Sequence, residues 1–210
     1  MKTNGESPAH WSHHEWDLIR VTEIFRHKPS ILKKAEGYLE ELRSSLAVEL
    51  KAHPKPYPPE TDLTKGQIAR GENHKGFPFL SLDLPQKFSK TEFFTFRTLF
   101  WWGHYLGFSL ILKSPNLDPY INRLKKSRQD AACETIYLSQ HTSPWEWEFS
   151  GNNFIKVSEL SENEIQEIAE RLQYLKLIRI FPVTEESFPK LNWEQAGIQS
   201  FRDLIHLVLE

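Results

Sequence analysis

Two runs of large apolar side chains in the middle of the chain, residues 93–102 and 104–113, are separated only by Gly103. Over residues 106–112 these side chains recur at every second position, which is the alternation of a half-buried β-strand. The pattern predicts a β-hairpin, and an antiparallel one, because a one-residue gap is too short for a parallel crossover. A helix over residues 91–101 is the alternative.

Helical patterns lie on both sides of this middle region. Trp16, Ile19, Ile24 and Phe25 are spaced for one face of a first helix, which Pro29 is predicted to end. Ser161 and Asn192 are predicted N-caps of two later helices, and the other helices are expected over residues 15–26, 30–52 and 118–129. Further strands are expected over residues 77–84, 134–140, 144–149, 154–157 and 177–183.

The order of these elements predicts an α+β fold in a single domain over residues 1–210. Its antiparallel sheet should have about five to seven strands, with helices packed against it and helical N- and C-terminal segments. Residues 1–14 are polar and are expected to be flexible. Residues 53–66 contain four prolines and should form an extended connector.

Charge and cysteine content exclude several classes of function. The formal net charge is -2, so no global positive field draws the chain to nucleic acid or to an anionic membrane. Cys133 is the single cysteine, which excludes an internal disulfide framework and a multi-thiolate zinc site. The longest apolar run, residues 98–112, is shorter than the roughly 20 residues that a bilayer-spanning helix needs. Because no signal peptide precedes it, a cytoplasmic protein is expected.

Arg97 is a charged residue inside one of the apolar runs. An unpaired buried guanidinium costs several kcal/mol, so the side chain needs a carboxylate or an anionic ligand. The predicted structural partners are Asp83, Glu72, Glu146 and Glu148. The alternative interpretation is an arginine that anchors a small anionic ligand.

The string Trp101-Trp102-Gly103-His104 lies at the tip of the predicted hairpin. Neighbouring residues of a strand face opposite ways, so at least one tryptophan could line a pocket or a partner surface. His104 is a candidate acid or base, with Glu72 or Glu146 as the carboxylate that would assist it. A structural histidine is the simpler interpretation.

Three polar stretches add weaker candidates. Arg70 and Lys75 lie in a glycine-flanked stretch, residues 70–76, that is predicted to be a loop and could bind an anion. Trp145 and Trp147 alternate with acidic residues and are candidate ligand-binding residues. The histidines near the N-terminus, His10, His13 and His14, have nothing to fix their rings, so no metal site is predicted, and no cofactor either.

Three segments resemble an uncharacterised bacterial protein family: RGENHKGFPFLSLD at residues 70–83, FRTLFWWG at residues 96–103 and SPWEW at residues 143–147. The resemblance covers roughly residues 68–157. It implies no activity and no catalytic residues, but it does imply that the three segments meet in space.

Two functions of different class follow. The first is a non-catalytic domain that binds a small ligand or a protein partner, with Trp101, Trp102, Trp145 and Trp147 displayed near Arg97. The alternative is a small-molecule enzyme, in which Arg97 holds an anionic substrate and a His–carboxylate pair moves the proton.

Overall fold

The computed structural model describes residues 10–209. Its helices are α1 (His13–Ile19), α2 (Glu23–Ala52), α3 (Asp118–Ser127), α4 (Glu162–Leu172) and α5 (Trp193–His206). Its strands are β1 (Gln67–His74), β2 (Phe77–Phe88), β3 (Phe93–Trp101), β4 (Tyr105–Lys113), β5 (Tyr137–Ser139), β6 (Phe154–Lys156) and β7 (Leu175–Pro182). All strands belong to one antiparallel sheet in the order β1-β2-β3-β4-β7-β5-β6, so the predicted α+β class is confirmed.

The flexibility predicted for residues 1–14 falls mostly on residues 1–9, which lie outside the described part of the chain. His13 and His14 already belong to α1. None of the helices within residues 10–209 is long and apolar enough to cross a lipid bilayer.

The N-terminal helices differ from the prediction in where the chain breaks. The first helix is short, and the break falls at residues 20–22 rather than at Pro29, which lies inside α2. A proline deprives the carbonyl four residues earlier of its partner. Here that residue is Phe25, which is exposed, so water can take the place of the missing N–H. The predicted helix end at about residue 52 is confirmed.

The aromatic middle of the chain forms the predicted hairpin of β3 and β4, and the alternative helix over residues 91–101 is not formed. A second hairpin joins β2 to β3. Ser89 and Glu92, which resemble a helix-capping box, close the turn of this hairpin instead: the Ser89 hydroxyl oxygen accepts the Glu92 N–H at 2.9 Å.

Residues 70–76 are not a loop, and that prediction is wrong. Most of them belong to β1, the edge strand, which pairs with β2 and then turns at Lys75 and Gly76. A bulge between Gly71 and His74 interrupts the pairing. At Gly71 a Cβ would lie 2.1 Å from the Phe79 ring, so glycine leaves room for this ring of β2 beside the edge strand.

The helices cover one face of the sheet. Phe96 of β3 packs edge-on against Phe201 of α5, with ring centroids 5.2 Å apart. Gly197 allows α5 to approach α2, because a Cβ there would lie 2.6 Å from Leu42. This face therefore holds the larger apolar core, as the alternating leucine and phenylalanine residues of the strands require.

The opposite face is covered by residues 140–153, which connect β5 to β6 and are called the cover loop below. The strand predicted over residues 144–149 is therefore wrong. The N–H groups of Trp147 and Glu148 donate to the Glu146 carboxylate, at 2.8 and 2.7 Å, rather than to a neighbouring strand. The alternation of tryptophan and glutamate resembles that of a strand. In the structure, however, the backbone N–H groups of Trp147 and Glu148 bond to a side chain instead of to a neighbouring strand.

Candidate functional site

The centre of the covered face is an ion pair between adjacent strands. Arg97 of β3 lies opposite Asp83 of β2 and donates two hydrogen bonds to it, Nε to Oδ1 and Nη2 to Oδ2, each 2.8 Å long. The Thr95 hydroxyl donates a third bond to Asp83 Oδ1 at 2.7 Å. The Arg97 side chain is 17% exposed and that of Asp83 is 6% exposed, so both charges are largely removed from water. The anion that Arg97 requires is thus supplied by the protein itself.

The cover loop lies over this pair. The ring of Trp145 has its centroid 4.8 Å from Arg97 Cζ, a cation–π contact that shields the guanidinium from solvent. Below the loop, the Tyr105 hydroxyl donates to the Trp147 carbonyl at 2.6 Å, and Lys176 Nζ donates to the Glu146 carbonyl at 2.5 Å. Two buried side chains of the sheet therefore hold consecutive carbonyls of the loop.

Lys176 of β7 was not among the residues predicted from the sequence. It is 2% exposed, and its ammonium lies 5.2 Å from the Phe154 ring centroid. Burial, together with the nearby Arg97 charge, lowers the pKa of Lys176 to about 7. A single lysine in the apolar stretch 175–178 is the sequence signal that could have indicated it.

Glu146 is held as an anion. Burial favours its neutral form, but the N–H groups of Glu148 and Trp147 and the Lys75 ammonium outweigh burial and lower the pKa of Glu146 to about 2. Lys75 Nζ bonds both Glu146 and Glu148, at 2.9 and 2.8 Å, and these bonds raise the pKa of Lys75. A carboxylate this acidic is a poor proton acceptor near neutral pH, so its geometry suits the anchoring of the loop to the β1–β2 turn.

His104 has no carboxylate partner among residues 10–209. Its ring stacks on Trp101 with centroids 3.6 Å apart, and Phe77 meets it edge-on at 4.8 Å. Its Nε2 is buried without a hydrogen-bond partner within the described part of the chain. Glu72 lies elsewhere, bonded to Lys28 at 2.6 Å and to Arg70 at 3.0 Å. The structure thus does not join His104 to either predicted carboxylate.

The four candidate tryptophans do not form one exposed surface. Trp101 and Trp147 are 2% and 7% exposed and belong to the smaller core under the cover loop. Trp102 points to the other face of the sheet and packs against the larger core, as strand geometry predicts. Trp145 is 36% exposed, beside Phe93 at 5.5 Å between ring centroids.

Two surface pockets lie away from these residues. One of about 500 Å³ is bounded by Pro56, Tyr120 and Arg123, and one of about 300 Å³ lies between Tyr57 and His206. Within residues 10–209 no group of three or more His, Cys, Asp or Glu side chains is placed to hold a metal ion.

Residues 70–83, 96–103 and 143–147 meet on the covered face, because Asp83 bonds Arg97, Arg97 contacts Trp145, and Lys75 bonds Glu146. Comparisons with protein-family models, curated proteins and solved structures found no match for this chain.

Eight of the twelve exposed large apolar side chains within residues 10–209 lie on the N-terminal arm, which we define as residues 10–31. α1 buries none of its side chains against the rest of residues 10–209. Seven large apolar residues of the arm are between 45% and 74% exposed: Trp11, Trp16, Leu18, Ile19, Val21, Ile24 and Phe25. Helical spacing predicted one face for Trp16, Ile19, Ile24 and Phe25, but the helix breaks at residues 20–22, so the first two lie on α1 and the last two on α2. The sequence did not indicate that the rest of residues 10–209 leaves these side chains exposed.

Proposed function

We propose that the protein is a non-catalytic interaction domain that contacts a protein partner through its N-terminal arm. The observation that carries the proposal is the contrast between the two aromatic regions. The rings near Arg97 are mostly interior, whereas Trp11 and Phe25 of the arm are 74% and 70% exposed. A contiguous apolar patch of several hundred square ångströms marks a contact site on a protein that is soluble in water.

The polar groups of the covered face support a structural role for that face. Arg97 is bonded to Asp83, Lys176 to a loop carbonyl, and Glu146 to Lys75 and two backbone N–H groups. These groups have partners from the protein, and their hydrogen bonds hold the cover loop in place. The exceptions on the same face are the Nε2 atoms of His74 and His104, which are buried without a partner within residues 10–209.

The alternative, an enzyme with an Arg97-anchored anionic substrate, has less support. A substrate anion would have to displace Asp83 from a two-bond contact and move Trp145. The acid–base pair would also need a carboxylate beside His104, where the nearest rings are Trp101 and Phe77. A thermal-shift screen of the wild type and Arg97→Met against anionic metabolites tests it, since an enzyme of this kind predicts a shift only in the wild type.

A buried, unpaired Cys133 thiol suits a reducing compartment, so the proposal places the domain in the cytoplasm. The bacterial origin that the resemblance implies stays a prediction, as does the absence of a nucleic-acid or membrane partner.

Site-specific photo-crosslinking tests the proposed function. A photoreactive phenylalanine analogue is placed at Phe25 in the full chain, expressed in the native host, with Val48 as the control position. Val48 is also exposed, at 69%, but lies on α2 outside the arm. An interaction arm predicts a discrete protein adduct from position 25 and none from position 48, with the crosslinked protein identified by mass spectrometry. Equal or absent crosslinking at both positions would contradict the proposal.

A further inference from the structure

The cover loop is attached to the sheet by side chains and not by strand pairing. None of residues 140–153 belongs to a strand of the sheet that the structure describes. Two consecutive loop carbonyls are held from below, that of Glu146 by Lys176 and that of Trp147 by Tyr105. A surface segment without ladder hydrogen bonds opens at a lower free energy than the strands of a core. The loop is therefore the part of the covered face that can open while the sheet stays folded.

Lys176 is held beneath this loop without an anionic partner. Within residues 10–209 the Glu146 carbonyl is the one hydrogen-bond acceptor of its Nζ, although an ammonium has three N–H groups to satisfy. The Asp83 carboxylate is already occupied by two bonds from Arg97. A protonated Lys176 therefore adds a second positive charge beside Arg97 in a place that water does not reach. Burial, together with the Arg97 charge, lowers the pKa of Lys176 from 10.5 to about 7.

His74, at the end of β1, is a second basic group that the loop covers. Its ring lies against Trp147 of the loop, with ring centroids 3.8 Å apart, and its Nε2 is buried without a hydrogen-bond partner in the described part of the chain. An imidazolium in this position would carry an N–H with nothing to accept it. Burial lowers the pKa of His74, and the Glu146 carboxylate opposes this effect. The positive charge of Lys75 and the nearby His104 lower it further.

The other ionisable groups around Lys176 and His74 come from every neighbouring element: Asp83 of β2, Arg97 of β3, Tyr105 of β4, Lys75 and His104 of the two turns, Tyr174 before β7, and Glu146, Glu148 and His141 of the loop. Glu146, whose pKa is about 2, stays an anion near neutral pH. The raised pKa values of Lys75 and Tyr105 keep the first charged and the second neutral. Changes of charge between about pH 9 and pH 5 therefore fall on Lys176 and on the imidazoles.

We propose that the cover loop is a proton-sensitive latch: proton uptake by Lys176 and His74 releases it from the sheet and exposes Arg97. Trp145, which shields Arg97, and Trp147, which belongs to the smaller core, leave with the loop. Both basic groups bind protons more tightly in water than beneath the loop, so the open state binds more protons and is favoured as the pH falls. Neither group belongs to the N-terminal arm, so the latch does not depend on the proposed function.

The two groups act in different pH ranges. The Lys176 contribution grows as the pH falls from 10.5, the pKa of a hydrated lysine, and is complete below about 7, the pKa beneath the loop. The His74 contribution begins near 6.5, the ordinary histidine pKa, and continues to lower pH because the pKa in the closed state is lowered. The latch is thus closed at alkaline pH and loosens in two steps.

Hydrogen–deuterium exchange of the full chain between about pH 5 and pH 9 tests the latch. Loop protection is measured on peptides that contain Trp147 and Glu148, whose N–H groups bond the Glu146 carboxylate, after correction for the intrinsic exchange rate at each pH. Peptides from β3 and β4 are the reference. Loop protection should be lower than sheet protection at every pH. It should fall about tenfold between about pH 8.5 and 7.0, and again below about pH 6.5.

Four variants assign the two steps. In Lys176→Met, loop protection should be constant between about pH 8.5 and 7.0, whereas Lys113→Met, at an exposed lysine of β4, should keep the tenfold change. His74→Phe should lack the fall below about pH 6.5, because its ring cannot be protonated. His27→Phe, at an exposed histidine of α2, should keep that fall.

Three results would overturn the latch. Loop protection that does not change with pH would mean that Lys176 and His74 stay buried when the loop opens. Equal protection of loop and sheet would mean that the loop opens only when the whole domain unfolds. Both results are read from the wild type, so they do not depend on whether the variants fold. An unchanged pH response in Lys176→Met and His74→Phe would assign the protons to His104 or His141.

Discussion

Lys176 is the buried amine beneath the cover loop, and its replacement by methionine should flatten the pH dependence of folding stability. In the unfolded chain a lysine has its ordinary pKa of 10.5, whereas in the folded protein burial and the Arg97 charge lower the pKa of Lys176 to about 7. Between these values the unfolded chain binds more protons, so the free energy of unfolding increases as the pH rises. The free-energy cost of burying the charged Lys176 amine is complete at pH values below the pKa of the folded state. It disappears at pH values above the pKa of the unfolded state.

The size of the effect follows from these two pKa values. Between about pH 7.0 and 8.5 the free energy of unfolding of the wild type should rise by about 1.5 kcal/mol more than that of Lys176→Met. The methionine leaves the Glu146 carbonyl without its donor, at a cost of roughly 1–3 kcal/mol. That cost is the same at both pH values, so it cancels in the comparison. Titration of His74 and Cys133 occurs in both proteins and cancels as well.

Urea denaturation at the two pH values, followed by tryptophan fluorescence, measures the difference. Lys176→Arg is a useful second variant, since a guanidinium stays charged at both pH values. This variant should have a lower free energy of unfolding than the wild type at both, and that free energy should not rise with pH as it does in the wild type. Parallel pH profiles for the wild type and Lys176→Met would refute the reasoning, because they would mean that Lys176 is hydrated in the folded state.

Two further substitutions test the packing of the sheet. Asp83→Asn should lower the free energy of unfolding by about 3 kcal/mol, because it leaves the largely buried Arg97 guanidinium without its counter-charge; urea denaturation measures it. Gly71→Ala should lower the free energy of unfolding by about 1–3 kcal/mol, because the added Cβ would lie 2.1 Å from the Phe79 ring. Gly37→Ala, by contrast, should stabilise α2 by about 0.5–1 kcal/mol, because a Cβ there has nothing within 4 Å.

Each of these two substitutions has a matched control substitution elsewhere in the chain. Glu159→Gln breaks an exposed pair with Lys156 and should change stability by less than about 0.5 kcal/mol. If Asp83→Asn is equally mild, the central ion pair contributes no more than a surface pair. A Gly71→Ala variant as stable as the wild type would show that the ring of Phe79 moves away at little cost.

The sheet could be predicted from the sequence because its signals are local. Alternation over residues 106–112 required a strand, and Gly103 left room only for a tight turn, so β3 and β4 had to pair. The partner of Arg97 was among four predicted carboxylates, since a lone charge in an apolar strand needs one. Which of the four it is depended on register, because only Asp83 lies directly opposite Arg97.

The structure of the cover loop and the exposure of the arm could not be predicted from the sequence, because both depend on contacts with residues that are far away along the chain. Trp145, Trp147 and Phe149 alternate as in a strand, yet the backbone of the loop is held by Tyr105 and Lys176, which lie about 30 or more residues away. Nor does helical spacing reveal what covers an apolar face. Trp16 and Leu39 both lie on helices with apolar stripes, but the domain covers only the second.

The central claim is that the arm, residues 10–31, is the surface that contacts a protein partner. Hydrogen–deuterium exchange of the full chain, alone and with the partner that the position-25 crosslink identifies, measures it directly, with peptides from residues 10–31 compared with peptides from β3 and β4. The account predicts that exchange in the arm slows in the presence of the partner while exchange in the sheet is unchanged. Equally rapid exchange of the arm in both samples would contradict it.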